Sequence, residues 1–178
     1  MKKKPLSPAA KREWELLAPA LEACRARRAA LPKRAISAPG VINEATAYKR
    51  PSSFSRGMRV ELPGVSMIFL SGTASVDTNG KCAHRGDFRA QTLRAYRNLT
   101  TLLEAEGATW HDVVRATCYL KNMKRDYAAF NETRTAFFAA AGIDPVPAST
   151  GIQVELCWPE LLVEIEAMAM IPSRKGRR

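Results

Sequence analysis

Two carboxylates, Glu164 and Glu166, stand two residues apart in a β-branched, aliphatic run over residues 161–171. Alternation along a strand places Glu164, Glu166, Met168 and Met170 on one face, and Val163, Ile165, Ala167, Ala169 and Ile171 on the other. At ~3.3 Å per residue the two carboxylates lie roughly 6.5 Å apart, and on a buried face like charges at that range resist ionising together. A carboxyl kept neutral in this way can protonate a leaving atom and then activate water. Residues 147–157 read as the other arm of a β-hairpin, with Thr150, Ile152, Val154 and Leu156 on its apolar face. Ser149, Gly151, Gln153, Glu155 and Cys157 form its polar face. With Leu156 opposite Leu161 across a four-residue loop, Gln153 falls opposite Glu164 and Gly151 opposite Glu166. This polar face is the best candidate for chemistry in the chain.

The remaining residues must hold that face in place. A chain of 178 residues suffices for one domain with a full core plus an extension, and is short for two ordinary domains. The net charge of +11 suggests a polyanionic partner until its location is considered. Residues 1–50 hold twelve Lys and Arg against four acids, and residues 172–178 hold four against none. Residues 51–171 are left nearly neutral, so the basic character belongs to the ends. Cys24, Cys82, Cys118 and Cys157 lack C-x-x-C spacing and only two histidines are present, which argues against a Cys/His metal site. No cofactor is expected. No apolar run approaches the ~20 residues of a membrane span, and the three lysines after Met1 lead into Pro5 and a charged helix instead of a signal sequence. A cytoplasmic protein with reduced thiols and no membrane association is expected.

Ser7 and Pro8 are a helix cap and first helical position. Trp14, Leu17, Leu21, Cys24 and Leu31 then form a narrow apolar stripe flanked by Arg25, Arg27 and Arg28, with Pro19 expected to kink the helix. Residues 32–54, rich in Pro, Gly and Ser, read as a linker. Strands are expected over 55–62 and 65–70 around the Pro63-Gly64 turn, then a helix over 88–106 between Asp87 and Gly107. A strand over 113–120 and a helix over 124–141 follow, the latter ended by Gly142 and Pro145. Asn131 lies on that second helix one turn after Tyr127, where a buried amide needs partners. The order β-β-α-β-α-β-β implies an α+β fold, a mixed sheet with two helices on one face. The other face, with its carboxylates and methionines, is too mixed for open water, and neighbouring subunits would cover it. The resulting division is a basic helical arm and linker (1–50), a domain (51–172) and a basic tail (173–178).

Phe69-Leu70-Ser71-Gly72, Gly86-Asp87 with Gln91 and Asn98-Leu99, Tyr127-Ala128-Ala129-Phe130-Asn131 with Phe137-Phe138, Pro147-Ala148, and Val163-Glu164-Ile165-Glu166-Ala167 together resemble the RidA (YjgF/YER057c) superfamily over residues 52–172. The resemblance implies a chorismate-mutase-like α+β fold, a homotrimer, and small-molecule sites in the clefts between subunits. It also implies hydrolysis of reactive enamines and imines to ammonia and a 2-oxo acid. Two positions depart from that pattern. Ser149 stands where active deaminases carry an arginine that clamps the substrate carboxylate, and Phe54 replaces the usual tyrosine. Ordinary imine deaminase activity is therefore expected to be absent or weak unless Arg56, Arg85 or Arg115 restores the charge. Ser71-Gly72-Thr73-Ala74-Ser75, His84, Gln153 and the run from Leu156-Cys157 to Glu166 are also similar to the RidA-like half of chorismatases, whose second domain has no counterpart here.

The enzyme reading makes Glu164 the general acid/base of a hydrolase acting on a small carboxylate, deaminase-like or chorismatase-like. Glu166 and Gln153 then set its protonation state, while Phe54, Gly72, Thr73, Asn131, Ser149, Gly151 and Cys157 line the pocket. Against it stands a structural reading, in which Glu164 and Glu166 pair with arginines across a subunit interface. Cys157 has no histidine placed to activate it and reads more simply as a packing residue. A non-catalytic protein that binds a small carboxylate in the same cleft is the second hypothesis. RNA binding through the basic arms ranks third, because the domain itself is nearly neutral.

Overall fold

The computed structural model describes residues 5–26, 31–49 and 51–173. The lysines at 2–4, Arg27 and Arg28, and all but the first residue of the basic tail lie outside them. The chain divides into two compact units, Met1–Pro32 and Lys33–Arg178. In the first, helix α1 spans Pro8–Ala26 with Pro19 inside it. Ser7 caps it through its side chain, accepting from the amide of Ala10 at 3.2 Å.

The second unit is built on six strands: β1 (Lys33–Ile36), β2 (Gly57–Leu62), β3 (Val65–Ala74), β4 (Val113–Leu120), β5 (Ala148–Gln153) and β6 (Val163–Pro172). Their order across the sheet is β1-β2-β3-β6-β4-β5. Helices α2 (Phe88–Ala105) and α3 (Met123–Ala140) complete the α+β architecture expected from the element order. Asp87 caps α2 and Asn122 caps α3, each side chain accepting a backbone N–H of the first turn. The core lies between helices and sheet: Leu99, Leu102 and Leu103 of α2 and Phe130 of α3 pack with Ile68, Leu120, Val163 and Ile165, all essentially inaccessible. Along β6 the expected faces are realised. Val163, Ile165, Ala167, Ala169 and Ile171 are buried, whereas Glu164, Glu166 and Met168 are partly exposed and Met170 is exposed.

Two expectations are corrected. Residues 147–157 and 161–171 do not form a hairpin. Strand β4 lies between them, antiparallel to β6 and parallel to β5. Glu164 is therefore level with Tyr119 of β4 and, beyond it, Ile152; Glu166 is level with Thr117 and Thr150. Since ladder partners point to the same side, Thr150 and Ile152 share the carboxylate face, and Ser149, Gly151 and Gln153 point to the helix side. The second correction concerns the linker expected over 32–54. Residues 33–36 form an edge strand antiparallel to β2, and Ile36 and Ile42 are fully buried. Proline and serine content marked this segment as irregular, but its few aliphatic residues are enough to fix it to the core.

One irregularity positions the site. The register between β3 and β6 slips between Leu70 and Thr73, where Ser71-Gly72 bulges out of the ladder. Just past the bulge, Asn98 of α2 holds the end of β3, its Nδ2 donating to the carbonyls of Ala74 (3.0 Å) and Val76 (3.1 Å).

Candidate active site

The bulge brings the α-carbon of Gly72 against the side chain of Glu164. A Cβ built on Gly72 would overlap Glu164 Oε1 and lie 2.9 Å from its Cδ, so a glycine is required for the carboxyl to rest where it does. Glu164 borders a cleft of about 420 Å³ on the sheet face away from the helices. Ala45, Tyr48 and Ser52 wall it from the segment before β2, with Phe54 and Arg56 beside them. Ser71 and Gly72 contribute the bulge, Cys157 and Trp158 the loop before β6, and Glu164 and Glu166 the strand itself.

Burial raises the Glu164 pKa, and the negative charge of Glu166 raises it further, while the Arg56 guanidinium pulls it partly back. The Glu164 side chain makes no hydrogen bond or ion pair with any described residue, which leaves its carboxyl to whatever enters the cleft. Tyr119, level with Glu164 on β4, has its pKa raised by burial and then by the charge of Glu166.

The loop carrying Trp158 is fixed from below by Gln91, a fully buried amide on α2. Its Nε2 donates to the carbonyls of Glu160 (3.0 Å) and His84 (3.2 Å), and its Oε1 accepts from the amide of Leu162 (2.9 Å). These three partners are backbone groups, with Cys82 Sγ a fourth, more distant acceptor at 3.7 Å, so one side chain helps set the path into β6.

Of the residues expected to share a site, Phe54, Gly72, Cys157, Glu164 and Glu166 meet in this cleft. Thr73 does not. It is fully buried level with Ile165, its hydroxyl donating to the Ser71 carbonyl at 2.8 Å, because the bulge turns it toward the helices. Asn131, Ser149, Gly151 and Gln153 gather instead on the exposed outer edge formed by β5 and α3. There Gln153 Oε1 accepts from the Met123 amide (2.9 Å), so its partner is the start of α3 and not Glu164. Arg134 donates to Asn131 Oδ1 (2.7 Å) and to Ser149 Oγ (3.2 Å), and its guanidinium stands 5.2 Å from the Phe130 ring. Asn131 and Ser149 thus hold an arginine supplied by the helix.

Of the three arginines suggested as substitutes for the one absent at 149, Arg56 lines the cleft. Arg85 pairs with Glu160 at 3.0 Å, and exposed Arg115 reaches Thr150 Oγ1 at 3.1 Å. The sequence reading missed Tyr48, Ser52 and Trp158. The available signal was an aromatic residue beside a lysine at 48 and another beside a proline at 158. Among the described residues no group of three His, Cys, Asp or Glu is arranged to hold a metal, and no helix is long and apolar enough to cross a membrane.

Comparison with known proteins agrees with this architecture. The model of the endoribonuclease L-PSP family matches residues 47–171. A RutC family protein of Pyrococcus abyssi is 33% identical over 104 residues, covering 58% of this chain and 78% of that protein. A second, from Pyrococcus horikoshii, is 32% identical over 104 residues, covering 58% of this chain and 79% of its own. Among solved structures, the YjgF gene product of E. coli superposes with a TM-score of 0.60 at 27% identity, covering 76% of this chain and 98% of that one. Yeast Mmf1 shares the fold with a TM-score of 0.64 at 19% identity, covering 78% and 98%. The family match over residues 47–171, on a sheet of this order, shows that the chain belongs to the endoribonuclease L-PSP family, the RidA/YjgF group.

Proposed function

We propose that the cleft binds a small carboxylate metabolite and that Glu164 hydrolyses it as general acid and base. The observation that carries this reading is the position of Glu164: partly buried, beside a second carboxylate, without a hydrogen-bond partner among the described residues, and open to a cleft of about 420 Å³. A carboxyl biased toward its neutral form gives its proton to an imine nitrogen, or to the terminal carbon of an enol ether. The carboxylate left behind takes a proton from the water that adds to the electrophilic carbon. A second exchange through the same oxygen completes hydrolysis, releasing ammonia from the imine or an alcohol from the enol ether.

A homotrimer is part of this reading. The exposed group Asn131, Ser149, Gly151 and Gln153, together with Arg134, is separated from Glu164 by the sheet itself, and a symmetric assembly would set one copy's outer edge against the next copy's cleft. Sedimentation giving a monomer at micromolar concentration would remove that edge from the site. The test of the chemistry is turnover of a panel of 2-imino acids and chorismate-like enol ethers by the wild type and by Glu164→Gln. At least a hundredfold loss of rate on substitution is expected from removal of a general acid/base. Equal, negligible rates for both proteins would favour a second reading, a binding protein without turnover, for which Ser149 in place of an arginine is the supporting observation.

A further inference from the structure

Arg56 is 96% buried, yet it forms no ion pair with any described residue. A guanidinium carries five N–H donors. Nε donates to the carbonyl of Asn43 at 3.0 Å and Nη2 to the hydroxyl of Tyr48. The remaining donors, both on Nη1 and one on Nη2, meet no acceptor among the described residues. Nη1 is not sealed away, because the buried side-chain polar atoms without a partner among the described residues are Glu44 Oε1 and Asn98 Oδ1. Two aromatic rings stand beside the guanidinium, its carbon 5.1 Å from the centre of the Tyr48 ring and 5.3 Å from that of Phe54. The open donors of Nη1 lie at the end of the fork. That edge presents two parallel N–H bonds, the geometry a carboxylate accepts.

The nearest acid on the same segment, Glu44, is turned to the backbone, its Oε2 accepting from the Arg56 amide at 3.4 Å. Glu164 and Glu166 share the cleft but stand in no ion pair with Arg56. A buried cation without a directly paired counter-charge is costly unless something supplies one. Here the cleft can supply it from outside.

We infer that Arg56 is the carboxylate anchor of the cleft, gripping through its Nη1–Nη2 edge a planar, unsaturated acid that lies against Phe54, Tyr48 and Trp158. This rests on the proposal that the cleft takes a small carboxylate, and adds which group holds it and what shape accompanies it. It also places anchor and acid/base on the same protomer, independent of the residue at 149. Tyr48 is a positioning residue in this arrangement. Its hydroxyl and ring orient the guanidinium, and Gly80, at φ 74°, lets the ring lie so close that an added Cβ would meet ring carbons at 2.5 to 2.8 Å.

The test compares an acid with its neutral isostere: calorimetric titration of the full chain with cinnamate and with cinnamamide. For the wild type, cinnamate is expected to bind at least tenfold more tightly, about the discrimination one charged hydrogen-bonded contact provides. Arg56→Gln is expected to bring the two affinities within about twofold, with cinnamamide binding little changed. A purely structural role would lower both together and leave their ratio intact, which would overturn the inference. Arg56→Lys keeps the charge and covers failure of the glutamine variant to fold: its acid preference is expected to fall several-fold as the fork is lost, and an unchanged ratio would overturn the inference too. If the preference survives Arg56→Gln but disappears in Arg134→Gln, the anchor is the outer edge of a neighbouring copy, and Arg56 is excluded while the carboxylate reading stands. No preference in the wild type would remove both.

Discussion

Arg56 and Arg59 are three residues apart, equally buried, and on opposite sides of the sheet, yet their surroundings have little in common. Arg59 faces the helices, where Nε pairs with Glu61 at 2.6 Å and Nη1 with Glu106 at 3.3 Å. Nη1 also reaches the Glu106 carbonyl at 3.2 Å, and Nη2 donates to Ser66 Oγ at 2.8 Å. Arg34 of β1 approaches the same Glu106 with both Nη atoms. Every side of that guanidinium is answered by the chain, and it ties β1, β2 and the end of α2 together. Arg56 is held by a carbonyl, a hydroxyl and two rings, none of them anionic. Burial alone does not separate a structural charge from a functional one; the inventory of partners does.

The comparison breaks most visibly at Glu106. Glu106→Ala removes the buried carboxylate that Arg59 and Arg34 share, and a loss of about 3 kcal/mol is expected, or a fall of roughly 10 °C in melting temperature for a chain of this size. The carboxylate-to-amide preference of the cleft should not change. If Arg56→Gln proved as destabilising as Glu106→Ala, the two arginines would be equivalent and the distinction would collapse.

Gly72→Ala sharpens the functional side. The added methyl meets the far end of a flexible side chain, so Glu164 can swing away and the melting temperature should move by no more than about 3 °C, consistent with ~0.5–1 kcal/mol. Hydrolysis should drop at least tenfold, because a displaced general acid loses its reach to the reacting atom. Retained activity with a large loss of stability would mean that the glycine serves the bulge and not the carboxyl.

The smallest effect expected is in the pH dependence of stability. The folded-state pKa of Glu164 is raised, so between the ordinary carboxylate pKa and the raised value the folded chain holds more protons than the unfolded one. Stability contributed by this group therefore declines as pH rises through that window. Glu164→Gln removes the slope, and its melting temperature should gain on the wild type as the pH is raised from acid conditions. A difference that shrinks with rising pH would show that Glu164 is stabilised as the anion.

The sequence made the elements and one face of the site legible. The alternation over 163–171, the glycine stops at 107 and 142, and the cap at Asp87 are local signals, and the folded chain follows them. Strand adjacency was not legible. Residues 147–157 and 161–171 are close in sequence and both suited to a strand, which favours a hairpin, but β4 offered β5 a parallel ladder and took the place beside β6. That exchange alone moved Ser149, Gly151 and Gln153 to the far side from Glu164. The bulge at Ser71-Gly72 was equally hidden: a run of small residues shows that something approaches closely, not that Thr73 turns inward while Gly72 meets a glutamate. Arg56 could be named as a candidate but not chosen over Arg85 and Arg115, because choosing required the third dimension.

The wall formed by Ala45 and Tyr48 comes from a segment ahead of the antiparallel core, pressed against the Asp77–Gly80 turn by a ring seated over a glycine. Glu164, by contrast, is embedded in a central strand, three ladders from the β1 edge of the sheet and two from the β5 edge. The carboxyl proposed to react and the wall proposed to judge size and shape therefore come from separable parts of the fold. On that proposal, exchanging the segment around Tyr48 would retune what the cleft admits and leave the acid untouched, a replaceable panel on a fixed machine.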